Sequence, residues 1–556
     1  MNDETSKSPE DLIKNEKSSK SAEDLIISFK FLPMADVSGI VLAKRALLKG
    51  KPIDVVQNCI SGPLDNDFNE IIEELIVNRI IIKNFDYGMK RKELDEAFSN
   101  YIREGLEKIE RINPNYKTIT TRTWGIQPVF LALEYKLKHP ETEWTAEYSD
   151  PIIFDLENKV RSNAFKMEYN IINKDYLDRI NAEIDKINER LSDDGKNIRL
   201  EHISEKDNLL FLSEYLGYVF ADKVRFTNVY QREIMLSQFP YDIKDFVMEK
   251  SEINPHPTLD EKYYHIKEVD YSVDDDCINI GYFGTYFGKR NFETIFYAID
   301  NLDEEIKSKI KLHLFTLHGE NLPTLTNNLS FHENIIVNEK VSLLEFLNLS
   351  TKLDVLLVND TETKGNFKVN PYRPSKIADY IGSKNDIWGI CEKNSIMDSL
   401  EEIKYKSYIN DFYSAKAVIN QIVDDYSSKL NLDPNSTTDE MDSLEKLNEL
   451  CMKNFKKRFD ELNEDEILEI FNEKEYLMNR LNHLNHLFNE STGRCLFPIE
   501  VKKLKAKNNR LSNNNKKLKK ENKKLKDENK KLKKDLKFMK TMKGSIRYHG
   551  KKLLKK

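Results

Sequence analysis

Cysteine is scarce in this chain. Five cysteines occur among 556 residues, and no two of them stand at a spacing typical of a metal or redox site. Their wide separation argues against a disulfide framework and is typical of a protein in a reducing compartment. We therefore expect free thiols and no structural metal. The cysteines are Cys59, Cys277, Cys391, Cys451 and Cys495.

Long apolar runs are also missing. No stretch of the sequence approaches the roughly 18 consecutive apolar residues that a membrane-spanning helix needs. The first residues, MNDETSKSPEDLIKNEKSSK, lack the apolar core of a secretion signal. These absences predict a cytoplasmic protein, with peripheral binding to the inner face of the cell membrane as an alternative that the charge distribution leaves open.

Charge is unevenly distributed along the chain. Residues 501–556 contain 22 Lys and 2 Arg against 4 acidic residues, a formal charge of +20, whereas the net charge of the whole chain is -7. The first 500 residues are therefore strongly acidic. Such a separation favours an anionic partner for the basic region: lipid headgroups, a polyanionic polymer or the acidic body itself.

Two series of alternating strand and helix patterns follow one another. The first begins near Ile26, and the second runs from CINIGYFG to IWGICEK. This alternation predicts the α/β class, with two doubly wound parallel sheets that bind ligands at the carboxyl ends of their strands. The predicted segments are a disordered arm (1–25), a first domain (26–255) with a helical insertion at about 155–215, a second domain (256–425), a helical extension (426–495), a coiled coil (500–540) and a basic tail (541–556).

A heptad pattern occupies the region near the C-terminal end. Leucine recurs every seven residues, and asparagine follows four residues after most of these leucines, which predicts a weak parallel coiled coil and a homo-oligomer. We expect the basic tail after it to lie on an anionic membrane surface. The leucines are Leu504, Leu511, Leu518, Leu525 and Leu532.

The first chemical motif is the glycine-rich segment IGYFGTYFGKR, residues 280–290, between a strand pattern and a helix pattern. Glycine allows the backbone to approach a ligand closely, a helix N-terminus presents unpaired N–H groups, and Lys289 with Arg290 adds positive charge. Gly284 and Thr285 are therefore candidates for binding a phosphate or diphosphate. An ordinary β–α turn with two surface cations is the alternative.

The second motif, NPYRPSKIADYIG at residues 370–382, follows the apolar strand LDVLLVN. Together the two motifs resemble the C-terminal domain of GT-B glycosyltransferases, in detail the family 4 group, whose segment P-S-K-[IL]-x-[ED]-Y-[IL]-G is matched here. The resemblance covers roughly residues 275–400 well and 30–255 loosely. It implies two Rossmann-like domains facing a cleft, a nucleotide-diphosphate sugar as donor, UDP-linked by preference, and retention of anomeric configuration.

The resemblance implies roles for residues of the second motif. Ser375 and Lys376 would bind the diphosphate, and Asp379 would accept hydrogen bonds from ribose hydroxyls. Asn370 is a further donor-binding candidate. The family carries two glutamates eight positions apart, and the matching residues here are Pro371 and Asp379. Because the first acid is absent, a catalytically silent protein is an alternative.

Departure of a diphosphate from a sugar requires positive charge in the site. No Asp-x-Asp motif occurs in a convincing strand-end loop of this sequence. We therefore expect Lys289, Arg290 and Lys376 to stabilise the leaving group as catalytic residues, without a metal ion and without a cofactor.

The first domain supplies weaker candidates near the ends of predicted strands. Asp150, in the segment SDP, either contacts acceptor or sugar hydroxyls or caps the following helix. His256, between two prolines, is more typical of a structural residue. The candidate cleft or acceptor residues are Ser38, Gly39, Arg122 and Trp124.

These motifs predict an enzyme, a hexosyltransferase that moves a hexose or N-acetylhexosamine to a cell-envelope acceptor such as a teichoic-type polymer, a capsular repeat unit or a glycolipid. The basic tail would hold it near this anionic polymer or lipid-linked acceptor. The alternatives are a non-catalytic GT-B subunit that supports a partner transferase, and a sugar-nucleotide epimerase of the same fold.

Overall fold

The computed structural model describes residues 21–58, 62–82, 91–123, 125–161, 172–284, 293–317, 329–363 and 365–430. These residues belong to one compact unit. The predicted coiled coil, the basic tail and nearly all of the predicted helical extension lie outside the described residues, as do the first 20 residues of the predicted arm.

The first domain is built around a parallel sheet. Its strands are β1 (Asp24–Ser28), β2 (Ile53–Asn58), β3 (Ile76–Ile82), β4 (Thr118–Thr123), β5 (Glu143–Tyr148), β6 (Lys223–Phe226) and β7 (Ser251–Ile253). Over the described residues they pair in the order β3-β2-β1-β4-β5-β6-β7, with neighbours parallel. The strand order reverses between β1 and β4, and sheets of this kind bind ligands at such a switch point.

Helices connect these strands. Those described are α1 (Val37–Lys49), α2 (Asn66–Glu73), α3 (Arg91–Ile112), α4 (Gln127–Lys138), α5 (Lys174–Asp193), α6 (Leu209–Phe220), α7 (Val229–Leu236) and α8 (Tyr241–Lys250). The caps of α1 explain its bounds. The Asp36 carboxylate accepts a hydrogen bond from the Ser38 N–H at 3.0 Å, and Gly50, at φ 63°, ends the helix.

The second domain repeats this plan. Its strands are β8 (Ile278–Phe283), β9 (Ile310–Thr316), β10 (Ile335–Glu339), β11 (Val355–Asn359), β12 (Asp386–Cys391) and β13 (Tyr405–Tyr408), and its helices are α9 (Glu293–Asp300), α10 (Glu304–Ser308), α11 (Leu343–Ser350), α12 (Lys376–Ser383), α13 (Phe412–Asp425) and α14 (Ser427–Leu430). The described strands pair in parallel in the order β10-β9-β8-β11-β12-β13. The predicted α/β class with two Rossmann-like doubly wound domains is confirmed.

One group of buried side chains joins the two domains. This interdomain apolar cluster packs the α1 face of the first sheet against α11 and against the segment that connects the domains, which contains a 3₁₀ helix at Glu261–Tyr264. Its members are Ile26, Phe31, Leu32, Leu42, Ala43, Ala46, Ile53, Val55, Phe68 and Ile72 from the first domain, Leu259, Tyr263 and Tyr264 from the connecting segment, and Leu343, Leu344 and Leu347 from α11. Because these side chains are shielded from water together, they hold the domains in contact.

One sequence-based boundary is wrong. The arm was expected to extend to residue 25, but Ala22 and Leu25 are buried and β1 begins at Asp24. At the other end of the described chain, Tyr405–Tyr408 forms β13, an edge strand of the second sheet. Among the described residues, none of the helices combines the length and the apolar character that crossing a bilayer requires.

Candidate functional site

The two motifs of the second domain meet at the carboxyl end of its sheet. The Lys376 ammonium donates a hydrogen bond to the carbonyl oxygen of Phe283, the last residue of β8, and lies 4.3 Å from the centre of the Tyr282 ring. Gly284 follows at φ 152°, and a β-carbon there would stand 2.5 Å from Lys376 Nζ. The backbone conformation therefore favours glycine at this turn, and a side chain there would displace the Lys376 ammonium.

The N-terminus of α12 lies at the same place. Ser375 is its N-cap residue and Lys376 its first residue, and both side chains are partly exposed. The N-terminal end of a helix carries a partial positive charge from its N–H groups, which suits an anion. A helix N-terminus, a glycine turn and an ammonium group thus lie together.

Asp379, the predicted ribose-binding residue, is buried on α12 and paired with Lys44 of α1. Burial raises the pKa of Asp379 above its usual value, against the lowering effect of the Lys44 ammonium. The Tyr264 hydroxyl also donates a hydrogen bond to the Asp379 carbonyl oxygen at 2.7 Å. A ribose hydroxyl that reaches this carboxylate would therefore compete with Lys44.

Asn370 is a buried residue of the loop between β11 and α12. Its amide nitrogen donates to the Thr361 carbonyl and to the Glu392 carboxylate, both at 2.8 Å, and its oxygen accepts the Tyr372 N–H at 3.0 Å. In the same loop, burial raises the pKa of Asp360 to about 7. These contacts show Asn370 shaping the loop that leads into α12.

Arg122 lies at the end of β4 and is 1% exposed. It forms an ion pair with Glu147 of β5, which also pairs with Arg45 of α1 at 2.9 Å. Burial raises the pKa of Glu147, but the two guanidinium groups outweigh this effect and hold its pKa below the usual value. Arg45 in turn donates to the Asn254 side-chain oxygen at 2.8 Å, so these residues fix the start of the connecting segment.

His256 belongs to the same group. Its Nε2 lies 3.1 Å from Arg122 Nη2. Burial lowers the pKa of His256 well below its usual value, and the charges of Arg122, Arg373, Arg45 and Lys44 lower it further. The ring is therefore neutral at physiological pH.

The other candidates of the first domain occupy different surroundings. Ser38 and Gly39 are buried in the first turn of α1, and a β-carbon on Gly39 would lie 2.6 Å from the Lys30 carbonyl oxygen, so the glycine permits close packing. Asp150 is exposed after β5, near enough to Arg122 for its charge to raise the arginine pKa. The alternative that Asp150 caps a following helix is wrong, because residues 151–161 contain no helix.

The domains also meet at a polar contact that the sequence motifs did not reveal. Asn228, at the end of β6, donates a hydrogen bond of 2.8 Å to the carbonyl oxygen of Pro371. The same asparagine is the N-cap of α7 and accepts the Gln231 N–H at 2.9 Å. Its capping position is visible in the sequence, but its partner in the second domain is not.

Several predictions fall on residues outside the described ranges: Thr285, Lys289, Arg290 and Trp124. Within the described residues, no group of three or more histidine, cysteine, aspartate or glutamate side chains is arranged to hold a metal ion. Cys277 and Cys391, the cysteines that the structure describes, are buried and free.

No protein-family model matches the chain, and no curated protein matches it. Solved structures resemble it at the level of the fold. HepE of Anabaena with UDP-glucose is 9% identical over 73% of this chain and 91% of that chain, with a TM-score of 0.44. Sucrose-phosphate synthase of Thermosynechococcus elongatus is 12% identical over the same shares, with a TM-score of 0.43. A putative UDP-N-acetylglucosamine 2-epimerase of Listeria monocytogenes is 11% identical over 80% of this chain and 98% of that chain, with a TM-score of 0.44.

Proposed function

We propose that this chain is a glycosyltransferase that uses a nucleotide-diphosphate sugar, and that the turn at Gly284, the N-terminus of α12 and Lys376 receive the diphosphate. The observation that carries the proposal is the contact between Lys376 and the end of β8. It brings two motifs, more than 90 residues apart in the chain, to the carboxyl edge of one sheet. Ligands of doubly wound sheets bind at this edge.

In this mechanism the bond between the anomeric carbon and the diphosphate breaks as negative charge builds up on the leaving group. The Lys376 ammonium and the helix N–H groups stabilise that charge, and we propose that Lys289 and Arg290, which follow Gly284 in the sequence motif, add to this effect. We propose that no metal ion takes part, since fixed cations serve this purpose. Apposition of the domains would exclude water, which competes with the acceptor as nucleophile.

The finer parts of the proposal concern the sugar and the acceptor. We propose a hexose or N-acetylhexosamine, transferred with retention to a cell-envelope glycopolymer or glycolipid. The sequence resemblance supports retention, and the basic C-terminal region supports an anionic or lipid-linked acceptor.

Binding of nucleotides tests the diphosphate site. UDP, UDP-glucose and UDP-N-acetylglucosamine should raise the unfolding temperature of the full chain, because a ligand bound by the native state stabilises it. UMP should raise it less, since it lacks the second phosphate. Lys376→Ala should remove the difference in unfolding temperature between UDP and UMP. Lys384→Asn is the matched control and should keep that difference. It removes a charge at the other end of α12, where the backbone is left-handed and asparagine is tolerated.

A second candidate function is a non-catalytic subunit. The pairing of Asp379 with Lys44 and the presence of Pro371 where the family has an acid favour it. A subunit of this kind would leave UDP-sugars intact. Release of UDP from a UDP-sugar, abolished in Lys376→Ala and retained in Lys384→Asn, would exclude it, whereas interconversion of the sugar without release of UDP would indicate an epimerase.

The C-terminal region carries a separate proposal. We propose that its lysines bind an anionic membrane surface and that its leucine heptads pair chains in a homo-oligomer. Binding of the full chain to vesicles with anionic lipid should weaken steeply with added salt, and neutral vesicles should not bind it. Equal binding to both kinds of vesicle would contradict the membrane proposal, and a monomeric mass in solution would contradict the oligomer.

A further inference from the structure

Four hydrogen-bond donors near the contact between the domains are shielded from solvent and have no hydrogen-bond partner among the described residues. They are Arg122 Nε, His256 Nδ1, Tyr372 Oη and Arg373 Nε. Native proteins pair most buried polar atoms, and groups left unpaired in this way mark a place where a ligand or water binds.

Contacts and charges place these four residues together. Arg122 Nη2 lies 3.1 Å from His256 Nε2, and the Arg373 charge lowers the His256 pKa. Asp150 acts on both Arg122 and Tyr372, whose pKa values it raises. The bond from Asn228 to Pro371 holds the loop with Tyr372 and Arg373 against the first domain.

The chemistry of the four atoms points to one kind of ligand. A guanidinium can only donate hydrogen bonds, so the nitrogen of His256 that faces Arg122 must accept, and the proton of the neutral ring resides on Nδ1. Arginine Nε atoms are donors as well, and a tyrosine hydroxyl donates readily. A ligand that satisfies this set must therefore be rich in acceptors.

Positive charge is also in excess here. Arg45 and Arg122 share one carboxylate, that of Glu147. Arg373 has no ion pair within the described part of the chain. The other acids whose charges act on this group are Asp150, Asp155 and Glu402, and none of them is buried. Water can accept hydrogen bonds but cannot balance this charge, which favours an anion.

We infer that Arg122, His256, Tyr372 and Arg373 bind an anionic group of the acceptor, a phosphate or a carboxylate. That this ligand is the acceptor rests on the proposed function. That it is an anion rests on the unpaired donors. Two residues of this donor cluster, Tyr372 and Arg373, directly precede the N-terminus of α12, where the proposed diphosphate site lies. The two sites use different side chains, which would let the acceptor and the donor sugar bind together.

The test measures binding of simple anions to the full chain at saturating UDP. Glycerol 3-phosphate and glucuronate are the probes for the two chemistries, with glycerol and glucose as neutral counterparts. We expect at least one anion to bind alongside UDP, and its neutral counterpart not to bind. Whichever anion binds identifies the phosphate or the carboxylate as the recognised group.

Two variants locate the site. Arg373→Gln removes a partly exposed charge, and Tyr372→Phe removes only a hydroxyl, so both should fold. Arg373→Gln should weaken the anion about tenfold or more and leave UDP binding within about twofold, and Tyr372→Phe should weaken the anion by a smaller factor. Arg199→Gln, at an exposed arginine of the first domain, is the matched control and should change neither.

Three results would overturn the inference: neither anion binds, the neutral sugar binds as well as glucuronate, or Arg373→Gln weakens UDP as much as the anion. The last would assign the cluster to the donor diphosphate. If the wild-type chain binds an anion through Arg373 but fails to bind UDP, the proposed function fails and the anion site stands.

Discussion

Lys44 of the first domain and Asp379 of the second form a buried ion pair, although they stand 335 positions apart in the chain. Both side chains are at most 6% exposed. Two charges taken out of water in this way depend on each other, since either one alone would be a buried unpaired charge.

The pair predicts strong coupling between the two positions. Lys44→Met should lower the free energy of unfolding by about 3–5 kcal/mol, because it leaves the Asp379 charge buried alone. The double variant Lys44→Met/Asp379→Leu should recover most of that loss. Urea unfolding of the wild type, the single variants Lys44→Met and Asp379→Leu, and the double variant checks this. Additive effects of the two substitutions would show that the pair is not coupled.

Glu214 of α6 makes stability depend on pH. It is fully buried, and its Oε1 accepts the N–H groups of Ile152 at 2.9 Å and Ile153 at 3.1 Å. Burial raises its pKa to about 8, from an ordinary value of 4.5. Because the folded pKa lies above the unfolded one, the stabilising contribution is complete below about pH 4.5 and is lost as the pH rises to about 8.

Glu214→Gln tests this dependence. Glutamine mimics the protonated acid and keeps the oxygen that accepts both N–H groups. The variant should therefore match the wild type in unfolding temperature near pH 5 and exceed it near pH 9. Glu205→Gln, at an exposed carboxylate, is the control. A difference between variant and wild type that stays constant with pH would contradict the raised pKa.

Gly284→Ala should disturb the proposed diphosphate site. The new methyl group would collide with Lys376 Nζ, and the backbone conformation at φ 152° is one that alanine adopts with strain of about 1–3 kcal/mol. We expect a lower affinity for UDP by titration, about tenfold or more. Gly365→Ala is the control: it has φ 69° but open space around a β-carbon, so it should cost stability and leave UDP binding unchanged.

Gly39→Ala should destabilise the first domain. Its β-carbon would lie 2.6 Å from the Lys30 carbonyl oxygen and 2.9 Å from the Phe31 α-carbon, and backbone atoms cannot turn aside as a side chain can. A loss of about 1–3 kcal/mol in the free energy of unfolding is expected. Gly62→Ala, where nothing lies within 4 Å of a β-carbon, should be nearly neutral. Equal losses in the two variants would show that packing at Gly39 is not the cause.

Much of the fold was predictable because buried parallel strands appear as short apolar runs. Leu353–Asn359 and Ile278–Phe283 are of this kind. The edge strand Tyr405–Tyr408, with the sequence YKSY, alternates buried and half-buried residues over four positions, too short a pattern to separate from a loop. Strand β7, with three residues, is shorter still.

The residues of the candidate site also differ in how much the sequence indicates about them. Gly284 and Lys376 could be named as candidates from the sequence because each belongs to a local motif whose residue types have a physical purpose. The partners of Arg122 and Asp379 were not, because Glu147 and Lys44 carry no local signal that pairs them across the fold. Contacts between distant positions depend on how the two domains pack, which a pattern within one segment does not contain.

The interdomain apolar cluster makes the two domains harder to separate on one side than on the other. Separating the domains beside Leu343 and Leu347 would expose apolar side chains to water, which is unfavourable. The hydrogen bond from Asn228 to Pro371 can instead be replaced by hydrogen bonds to water at little cost in free energy. The domains are therefore joined more firmly along the leucines of α11 than at Asn228, and the buried ion pair of Lys44 with Asp379 adds to this attachment.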